Sequence, residues 1–311
     1  MAEAALPLPS EFEWAGPPPR SRLHGLAKFV RREPLGTAGA VLILLIVVAA
    51  LFAPLLSTDD PRQFSGDVLE SPSSSHFFGT TREGKDVYSR VMYGARLALK
   101  VGVATVLISI IGGTAFALAA GFFGGVVDWI LSRIAEVLIT FPPILFALTI
   151  RTSFKDDIPE NVPGISQGEL LVILAIVVLY TPLIFRLMRG AVLEQRGQLY
   201  VESARVTGAT GLRIMVRHIL PNLTGIVIIV STTSLPAAIL LESSLGFLGV
   251  GVAVGTPSWG ADLSGSARSF FVQAPWIAIF PGAALAITVL AFNLLGDSLR
   301  DTLDPRLRGK I

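Results

Sequence analysis

The 311-residue sequence contains no cysteine, and it has only three histidines. The absence of cysteine excludes disulfide bonds, thiolate metal sites and cysteine nucleophiles. The histidines, His24, His76 and His218, are scattered along the chain and do not predict a ligand pair, so no metal site is expected. The formal net charge of +2 is too small to indicate a nucleic-acid partner.

Charged residues of either sign are also scarce. Only 15% of the residues are charged, whereas 52% are hydrophobic, and the mean hydropathy is +0.66. A soluble globular domain carries about 25% charged residues. The composition therefore excludes an ordinary soluble domain and predicts an integral membrane protein.

Long apolar runs, in contrast, are abundant. A bilayer span requires about 20 predominantly apolar residues in a helix, and in lipid an open chain satisfies its backbone polar groups only as a helix. The sequence therefore predicts an all-α integral membrane protein with six transmembrane helices. The six predicted spans are 35–56, 95–122, 129–150, 170–187, 223–241 and 276–295.

Lysine and arginine predict the orientation of these spans. If both termini lie inside, the inner segments carry more of these residues than the outer segments do, as the positive-inside rule requires. Both termini are therefore expected in the cytoplasm. The predicted divisions are a disordered or interfacial tail at 1–34, a transmembrane domain at 35–298 that includes an inner loop at 188–221 and an outer loop at 242–275, and a cytoplasmic tail at 299–311.

A polar and basic stretch, 200–222, separates the fourth and fifth predicted spans. Gly208 follows Glu202 by six residues, where a short helix can end in a left-handed cap. A second short helix is expected next, and Pro221 suits the first turn of the helix after it. The predicted apolar face of this second helix consists of Leu212, Met215, Val216 and Ile219. Such an element would present a compact charged projection to a cytoplasmic partner.

Residues 242–275 are too apolar and glycine-rich for a free loop, and Pro257 interrupts them too soon for a span. We expect them to dip back among the outer ends of the spans, where protein groups satisfy the backbone. Glu242 is expected to be partly hydrated, and Trp259 suits an interface or a docking protein. With Phe247, these residues are candidates for an external gate and docking surface; the alternative is a packing plug.

Few ionisable residues lie inside the predicted spans. Glu136, with Arg133 one turn before it, is early in the third span. An intramembrane charge indicates function by default, but an ion pair near the inner interface is the preferred interpretation. Phe141, Pro142 and Pro143 are expected to kink the same helix. Together with Glu136 they are candidates for lining a pathway, or they only shape the packing.

A glycine-rich stretch in the first outer loop fits a phosphate-binding pattern. Residues 79–85 read GTTREGK, which matches G-x-x-x-x-G-K. However, Asp86 follows where a serine or threonine would hold magnesium, and its carboxylate would repel phosphates. The preceding residues are polar and do not predict a buried strand. The sequence therefore predicts that this chain binds no nucleotide.

Several of these stretches resemble one family. The E-x-A-x-x-x-G run followed by L-P is similar to the "EAA" coupling loop of ABC-importer permeases, with Ser203 and His218 as departures from the pattern. Three further signatures occur in family order: GTTREGKDVYSRVMYGAR, LESSLGFLGVGV…PSWG and FNLLGDSLRDTLDPR. Over residues 35–308 the sequence resembles the dipeptide/oligopeptide branch of these permeases, in particular its second, C-type subunit.

The resemblance implies the type I ABC-importer permease fold in a bacterial plasma membrane, with a cytoplasmic coupling-helix loop between spans four and five. It implies a non-catalytic subunit that pairs with a second permease, two cytoplasmic ATPases and an extracytoplasmic substrate-binding protein. ATP and magnesium would belong to the ATPases, and no cofactor is expected in this chain. The residues implied to couple to the ATPases are Glu202, Ala204, Gly208, Leu212, Met215 and Pro221.

Three classes of function compete. The resemblance implies import of dipeptides or oligopeptides, with another solute such as a nickel chelate as the alternative. An ion-coupled secondary transporter would show inverted repeats with broken helices and midplane carboxylates, and the sequence shows neither. A membrane scaffold that transports nothing would have no need of a coupling signature.

Overall fold

The computed structural model describes residues 30–65, 67–154, 157–158, 161–253 and 255–303. Most of the predicted N-terminal tail, residues 1–29, lies outside the described residues. The same holds for residues 304–311 of the predicted C-terminal tail.

The described chain is almost entirely helical, which confirms the predicted all-α class. The long helices are α1 (Pro34–Leu51), α3 (Val87–Phe123), α4 (Gly125–Thr140), α5 (Pro143–Phe154), α6 (Gln167–Arg196), α10 (Thr224–Phe247) and α13 (Trp276–Leu303). The short helices are α2 (Ala53–Leu56), α7 (Leu199–Val206), α8 (Gly211–Ile214), α9 (Leu220–Asn222), α11 (Trp259–Leu263) and α12 (Gly265–Phe270), and a π-helical turn occupies Met215–Ile219. Within the described residues the only sheet is an antiparallel pair, β1 (Asn161–Val162) and β2 (Ile165–Ser166).

Among the residues that the structure describes, five helices are long and apolar enough to cross a bilayer: α1, α3, α6, α10 and α13. The span predicted at 129–150 is instead the pair α4 and α5, which are bent by 97° relative to each other, so six spans result if the pair counts as one. The bend lies at Phe141, whose backbone is extended (φ −72°, ψ 134°). A following proline disfavours the helical conformation, and neither Pro142 nor Pro143 can donate a backbone hydrogen bond.

Helix α3 is longer than the span predicted at 95–122 because it begins at Val87. Asp86 caps this helix, and its carboxylate accepts a hydrogen bond from the Ser89 backbone N–H at 2.7 Å. An aspartate at this position satisfies a donor that the first turn leaves unpaired. The first residues of α3 thus continue directly from the loop that precedes it.

Helices α3 and α6 pack closely because α3 presents glycines to branched side chains of α6. A Cβ atom at Gly113 would lie 2.8 Å from Cγ2 of Ile184, and one at Gly121 would lie 2.5 Å from Cγ1 of Val192. Small residues at such contacts allow helix backbones to approach in membrane proteins. The pair forms the centre of the largest buried cluster.

The loop between α2 and α3 is fastened to α13. The Trp276 indole N–H donates to the Thr80 carbonyl at 3.1 Å, and the Phe78 ring stacks on Phe280 with 3.9 Å between centroids. This loop therefore holds a defined position against the helices.

Candidate functional site

The helix-glycine-helix unit (residues 199–222) is present between α6 and α10. Helix α7 ends at Val206, and Gly208, two residues later, has a left-handed backbone with φ +80°. The Gly208 N–H donates to the Arg205 carbonyl at 3.0 Å, and the Ala209 N–H donates to the Ala204 carbonyl at 3.0 Å. These two bonds form a Schellman cap. The predicted left-handed cap at Gly208 is confirmed.

Buried side chains anchor this unit to the membrane helices. Val201 and Ala204 belong to the cluster that also contains the facing side chains of α3 and α6. Gly211 abuts Phe122 of α3, since a Cβ atom there would lie 2.8 Å from the Phe122 ring. The Arg205 guanidinium lies 5.5 Å from the centroid of the same ring. The unit therefore packs directly against α3 and shares a buried cluster with α6.

The opposite side of the unit faces outwards and carries charge. Glu202, Gly208 and Pro221 are exposed, as are Arg213 and Arg217. Within the described chain, Glu202 forms no ion pair. This surface is therefore available to a partner.

The second helix of the unit buries a different face from the predicted one. The buried side chains are Ile214, Met215 and Ile219, whereas Leu212 and Val216 are 69% and 53% exposed. The cause is the π-helical turn, in which the Leu220 N–H donates to the Met215 carbonyl and residues five apart share a face. Of the residues implied to couple to the ATPases, Leu212 lies at the surface and Met215 lies in the core.

Trp259 is buried, which corrects the expectation that it lies at an interface or against a docking protein. Its side chain is 2% exposed, and its indole N–H donates to the Val91 carbonyl at 3.0 Å. The ring fills a slot at Gly94 of α3, where a Cβ atom would lie 2.5 Å from the indole Cδ1. A glycine far away in the sequence thus decides the position of this tryptophan.

Glu242 is also buried, at 1% exposure. The expectation that it is partly hydrated was therefore wrong. The Ser243 and Ser258 hydroxyls each donate to one of its carboxylate oxygens at 3.2 Å. Pro257 is buried as well, whereas Phe247 is 45% exposed. The residues that follow α10 fold back against it, so only Phe247 of the four predicted gate and docking residues is placed to meet a partner.

A buried ion pair that no sequence pattern signals joins α3 to α11. The side chains of Arg90 and Asp262 are each 8% exposed, and the Arg90 Nε donates to Oδ1 of Asp262 at 2.9 Å. Arg90 Nη1 also donates to the Pro61 carbonyl at 2.9 Å. Burial raises the pKa of the Asp262 carboxyl, and the Arg90 cation opposes this rise. The pair connects residues 172 positions apart.

The candidate pathway residues lie on the outside of the helix bundle. Arg133 Nη1 is 2.7 Å from Glu136 Oε2, so the two form the expected ion pair, with side chains 61% and 48% exposed. Phe141 is 49% exposed, and Pro142 is exposed as well. A charged pair exposed on a membrane helix indicates contact with something other than lipid.

A cleft of about 360 Å³ opens between α5, α10, α11 and α13. It is apolar apart from two serines, and its lining residues include Ile144, Leu240, Ser243, Ser244, Phe247, Leu263 and Leu285. Phe247, a predicted gate residue, therefore meets the bent helix pair at one cleft.

The glycine-rich stretch in the first outer loop forms a closed turn. The Thr81 N–H donates to the Lys85 carbonyl at 2.9 Å, and the Gly84 N–H donates to the Thr81 carbonyl at 3.0 Å. The Lys85 N–H donates to the Thr81 hydroxyl at 3.2 Å. A phosphate-binding loop presents such amides to its ligand. Here the same amides donate hydrogen bonds to acceptors within the turn.

Lys85→Ala is therefore expected to leave the ATP affinity of the assembled transporter unchanged, because the backbone amides around Lys85 already donate within the turn. Photolabelling with an azido-ATP analogue, followed by separation of the subunits, measures this directly. Labelling of this chain that disappears in the Lys85→Ala variant would contradict the prediction.

The apolar helices, the bent pair and the anchored, charge-bearing unit between α6 and α10 define a multi-pass membrane transport subunit. Residues 113–309 match the family model described as binding-protein-dependent transport system inner membrane component. Residues 27–72 match the N-terminal TM domain of oligopeptide transport permease C. The chain belongs to the family of binding-protein-dependent transport system inner membrane components, the permeases of ABC importers.

Individual relatives match nearly the whole chain. It is 36% identical over 299 residues to the dipeptide transport system permease protein DppC of Alkalihalophilus pseudofirmus, with 94% of each chain covered. It is 39% identical over 282 residues to the glutathione transport system permease protein GsiD of Pectobacterium atrosepticum, with 90% of each chain covered. The GsiD protein of Escherichia coli is 38% identical over 292 residues. The family inferred from the sequence motifs is confirmed.

Proposed function

We propose that this chain imports short peptides as a non-catalytic permease subunit driven by ATPase partners. The observation that carries the proposal is the helix-glycine-helix unit, which exposes Glu202 and Gly208 while Val201 and Ala204 hold it against α3 and α6. The names of the relatives, which specify dipeptide and glutathione transport, support a peptide substrate.

Coupling to the two ATPases runs through this unit. Glu202 and the exposed Leu212 and Pro221 provide the contact surface, and Gly208 sets the angle between the two short helices. Ala204 and Met215 lie on the buried side and pass the movement to the membrane helices. ATP and magnesium belong to the partner subunits.

A second permease subunit completes the pathway by packing along the α4 and α5 pair. The exposed Glu136, Phe141 and Pro142 on this pair fit a protein surface or an aqueous pathway better than lipid. The extracytoplasmic substrate-binding protein meets the side that carries Phe247 and the loop before α13.

The substrate is tested with the complete transporter in proteoliposomes, together with its substrate-binding protein. ATP-dependent uptake of a radiolabelled dipeptide is expected, with unlabelled dipeptide and glutathione compared as competitors. Uptake of a nickel chelate without any uptake of peptides would replace the peptide proposal with the alternative solute.

The proposed orientation, with both termini in the cytoplasm, predicts which engineered cysteines react from outside. Val272→Cys, at a position 94% exposed in the loop before α13, should react with a membrane-impermeant thiol reagent added to intact cells. Val206→Cys, 84% exposed at the end of α7, should react only after the membrane is opened. Trp259→Cys should react slowly from either side because the site is buried. The cysteine-free parent is the control, and the reverse pattern for the first two would invert the topology.

A further inference from the structure

A buried histidine in the loop between α2 and α3 is surrounded by three carboxylates. His76 Nδ1 lies 3.2 Å from Oδ1 of Asp86 and 3.8 Å from Oδ2 of Asp59, and Nε2 lies 3.7 Å from Oε2 of Glu70. The His76 side chain is 8% exposed and that of Asp86 is fully buried. The scattered histidines of the sequence predict no metal site, because the residues that meet here come from separate parts of the loop.

The negative charge of this cluster exceeds the positive charge that faces it. Within the described chain, each ion pair of Asp59, Glu70 and Asp86 is made with His76, and none is made with a lysine or arginine. Even a protonated imidazole supplies one positive charge to three carboxylates. Of the three carboxylates only Asp86 is fully buried, whereas the Asp59 and Glu70 side chains are 36% and 34% exposed. Burying a charged carboxylate is costly, and paired cations or bound metal ions relieve that cost.

The imidazole alone cannot satisfy both carboxylates on its Nδ1 side. Nδ1 carries at most one proton, yet Asp59 and Asp86 both direct an oxygen towards it. The three ligand atoms all lie within 4.8 Å of one another. In a tetrahedral zinc site with bonds of about 2.0 Å, neighbouring ligand atoms are about 3.3 Å apart. The separations of 3.2 and 3.8 Å are close to that value.

The surroundings orient these side chains as in a metal site. Asp86 Oδ2 accepts hydrogen bonds from the Ser89 N–H at 2.7 Å and the Thr58 hydroxyl at 3.0 Å, which leaves Oδ1 facing His76. Glu70 stands on the far side of the imidazole, and the Ser73 hydroxyl donates to its Oε1 at 3.1 Å. A carboxylate hydrogen-bonded to the far nitrogen of a metal-binding histidine fixes its tautomer and raises its basicity. Glu70 Oε2, 3.7 Å from Nε2, needs only a small movement to make that bond.

We propose that Asp59, His76 and Asp86 bind one divalent transition-metal ion, namely Zn²⁺. Imidazole and carboxylate ligands suit zinc, and three protein ligands leave a fourth position for water. Asp59 lies shortly after α2 and Asp86 caps α3, so the ion ties the two ends of this loop together. Its role is to hold the loop in place and does not depend on the transported solute.

The test uses the full-length chain purified in detergent without a histidine tag. After loading with Zn²⁺ and removal of unbound metal, mass spectrometry of the metal content should give one zinc per chain. His76→Ala should weaken zinc binding by more than about 100-fold, and Glu70→Gln by about 10- to 100-fold, since it removes only the supporting carboxylate. His218→Ala, which removes an imidazole elsewhere in the chain, is the matched control and should bind normally.

Asp59→Asn serves as a second variant, because Asp59 is partly exposed and the change is nearly isosteric. If His76→Ala does not fold, the zinc affinity of Asp59→Asn tests the proposed site. Cobalt substituted into the unaltered chain should absorb in the visible range with the intensity of a tetrahedral site. Absence of stoichiometric zinc from the unaltered chain, or zinc binding that Asp59→Asn and His76→Ala leave unchanged, would overturn the proposal.

Discussion

Gly208→Val is expected to abolish peptide uptake while the chain still inserts into the membrane in normal amounts. Gly208 has φ +80°, a conformation that costs a β-branched residue about 1 to 3 kcal/mol. No heavy atom lies within 4 Å of the position that a Cβ atom would take, so the effect arises from the backbone and not from a clash. The Schellman cap should open, and the exposed surface around Glu202 would no longer be presented at its present angle.

A matched substitution separates backbone strain from side-chain size. Asparagine tolerates the left-handed conformation, so Gly208→Asn should retain most of the uptake. The measurements are ATP-dependent uptake of labelled dipeptide, the ATPase rate of the complex and the amount of chain in the membrane. Normal uptake by a Glu202→Ala, Gly208→Val double variant would rule out the proposed coupling role.

Arg90→Ala is expected to destabilise the folded chain strongly, because it leaves the Asp262 carboxylate buried without its cation. Removing one partner of a buried ion pair costs about 3 to 5 kcal/mol. Arg90 also donates to the Pro61 carbonyl, so the loop after α2 loses a contact as well. The thermal unfolding midpoint in detergent and the amount of chain in the membrane should both fall.

A double variant provides the control for this prediction. In Arg90→Met, Asp262→Leu the pair is replaced by apolar groups, and such replacements are often neutral or stabilising. The double variant should therefore recover much of the stability that Arg90→Ala loses. An unfolding midpoint for Arg90→Ala equal to that of the parent would show that the pair contributes nothing.

The stability of Arg90→Ala should also depend on pH. Burial raises the pKa of Asp262 in the folded chain, and Arg90 opposes the rise. A carboxyl with a raised folded pKa stabilises the fold below its unfolded pKa, and this contribution is lost as the pH rises through the folded value. Without Arg90 the folded pKa rises further, so the deficit relative to the parent should be smaller at about pH 5 than at about pH 8. An equal deficit at both values would exclude this mechanism.

Local sequence features correctly predicted the membrane helices and the left-handed conformation of Gly208. Apolar runs identified five spans and the position of the bent pair, because lipid requires helix wherever the chain is apolar for long enough. The Pro142–Pro143 dipeptide indicated the break in the third span. The angle of 97° between the two helices depends on the helices that surround them. The left-handed cap at Gly208 was predictable because the conformation belongs to a single residue and its neighbours.

Burial of individual side chains was not predictable in the same way. Tryptophan is a residue type that suits an interface, yet Trp259 is buried because Gly94 of α3 leaves a slot for its ring. Leu212 was assigned to the buried face because the helical period was assumed to be regular, and the π-helical turn changes that period.

The sequence by itself determined the membrane class, the helical spans, the family and the left-handed cap at Gly208 in the unit between α6 and α10. These properties depend on composition, on hydropathy along a continuous run and on the backbone freedom of single residues. Only the tertiary structure decided that Arg90 pairs with Asp262, that Glu242 is enclosed by two serine hydroxyls and that His76 meets three carboxylates. Each of these outcomes depends on which distant residue packs opposite, and a local sequence pattern carries no information about that residue.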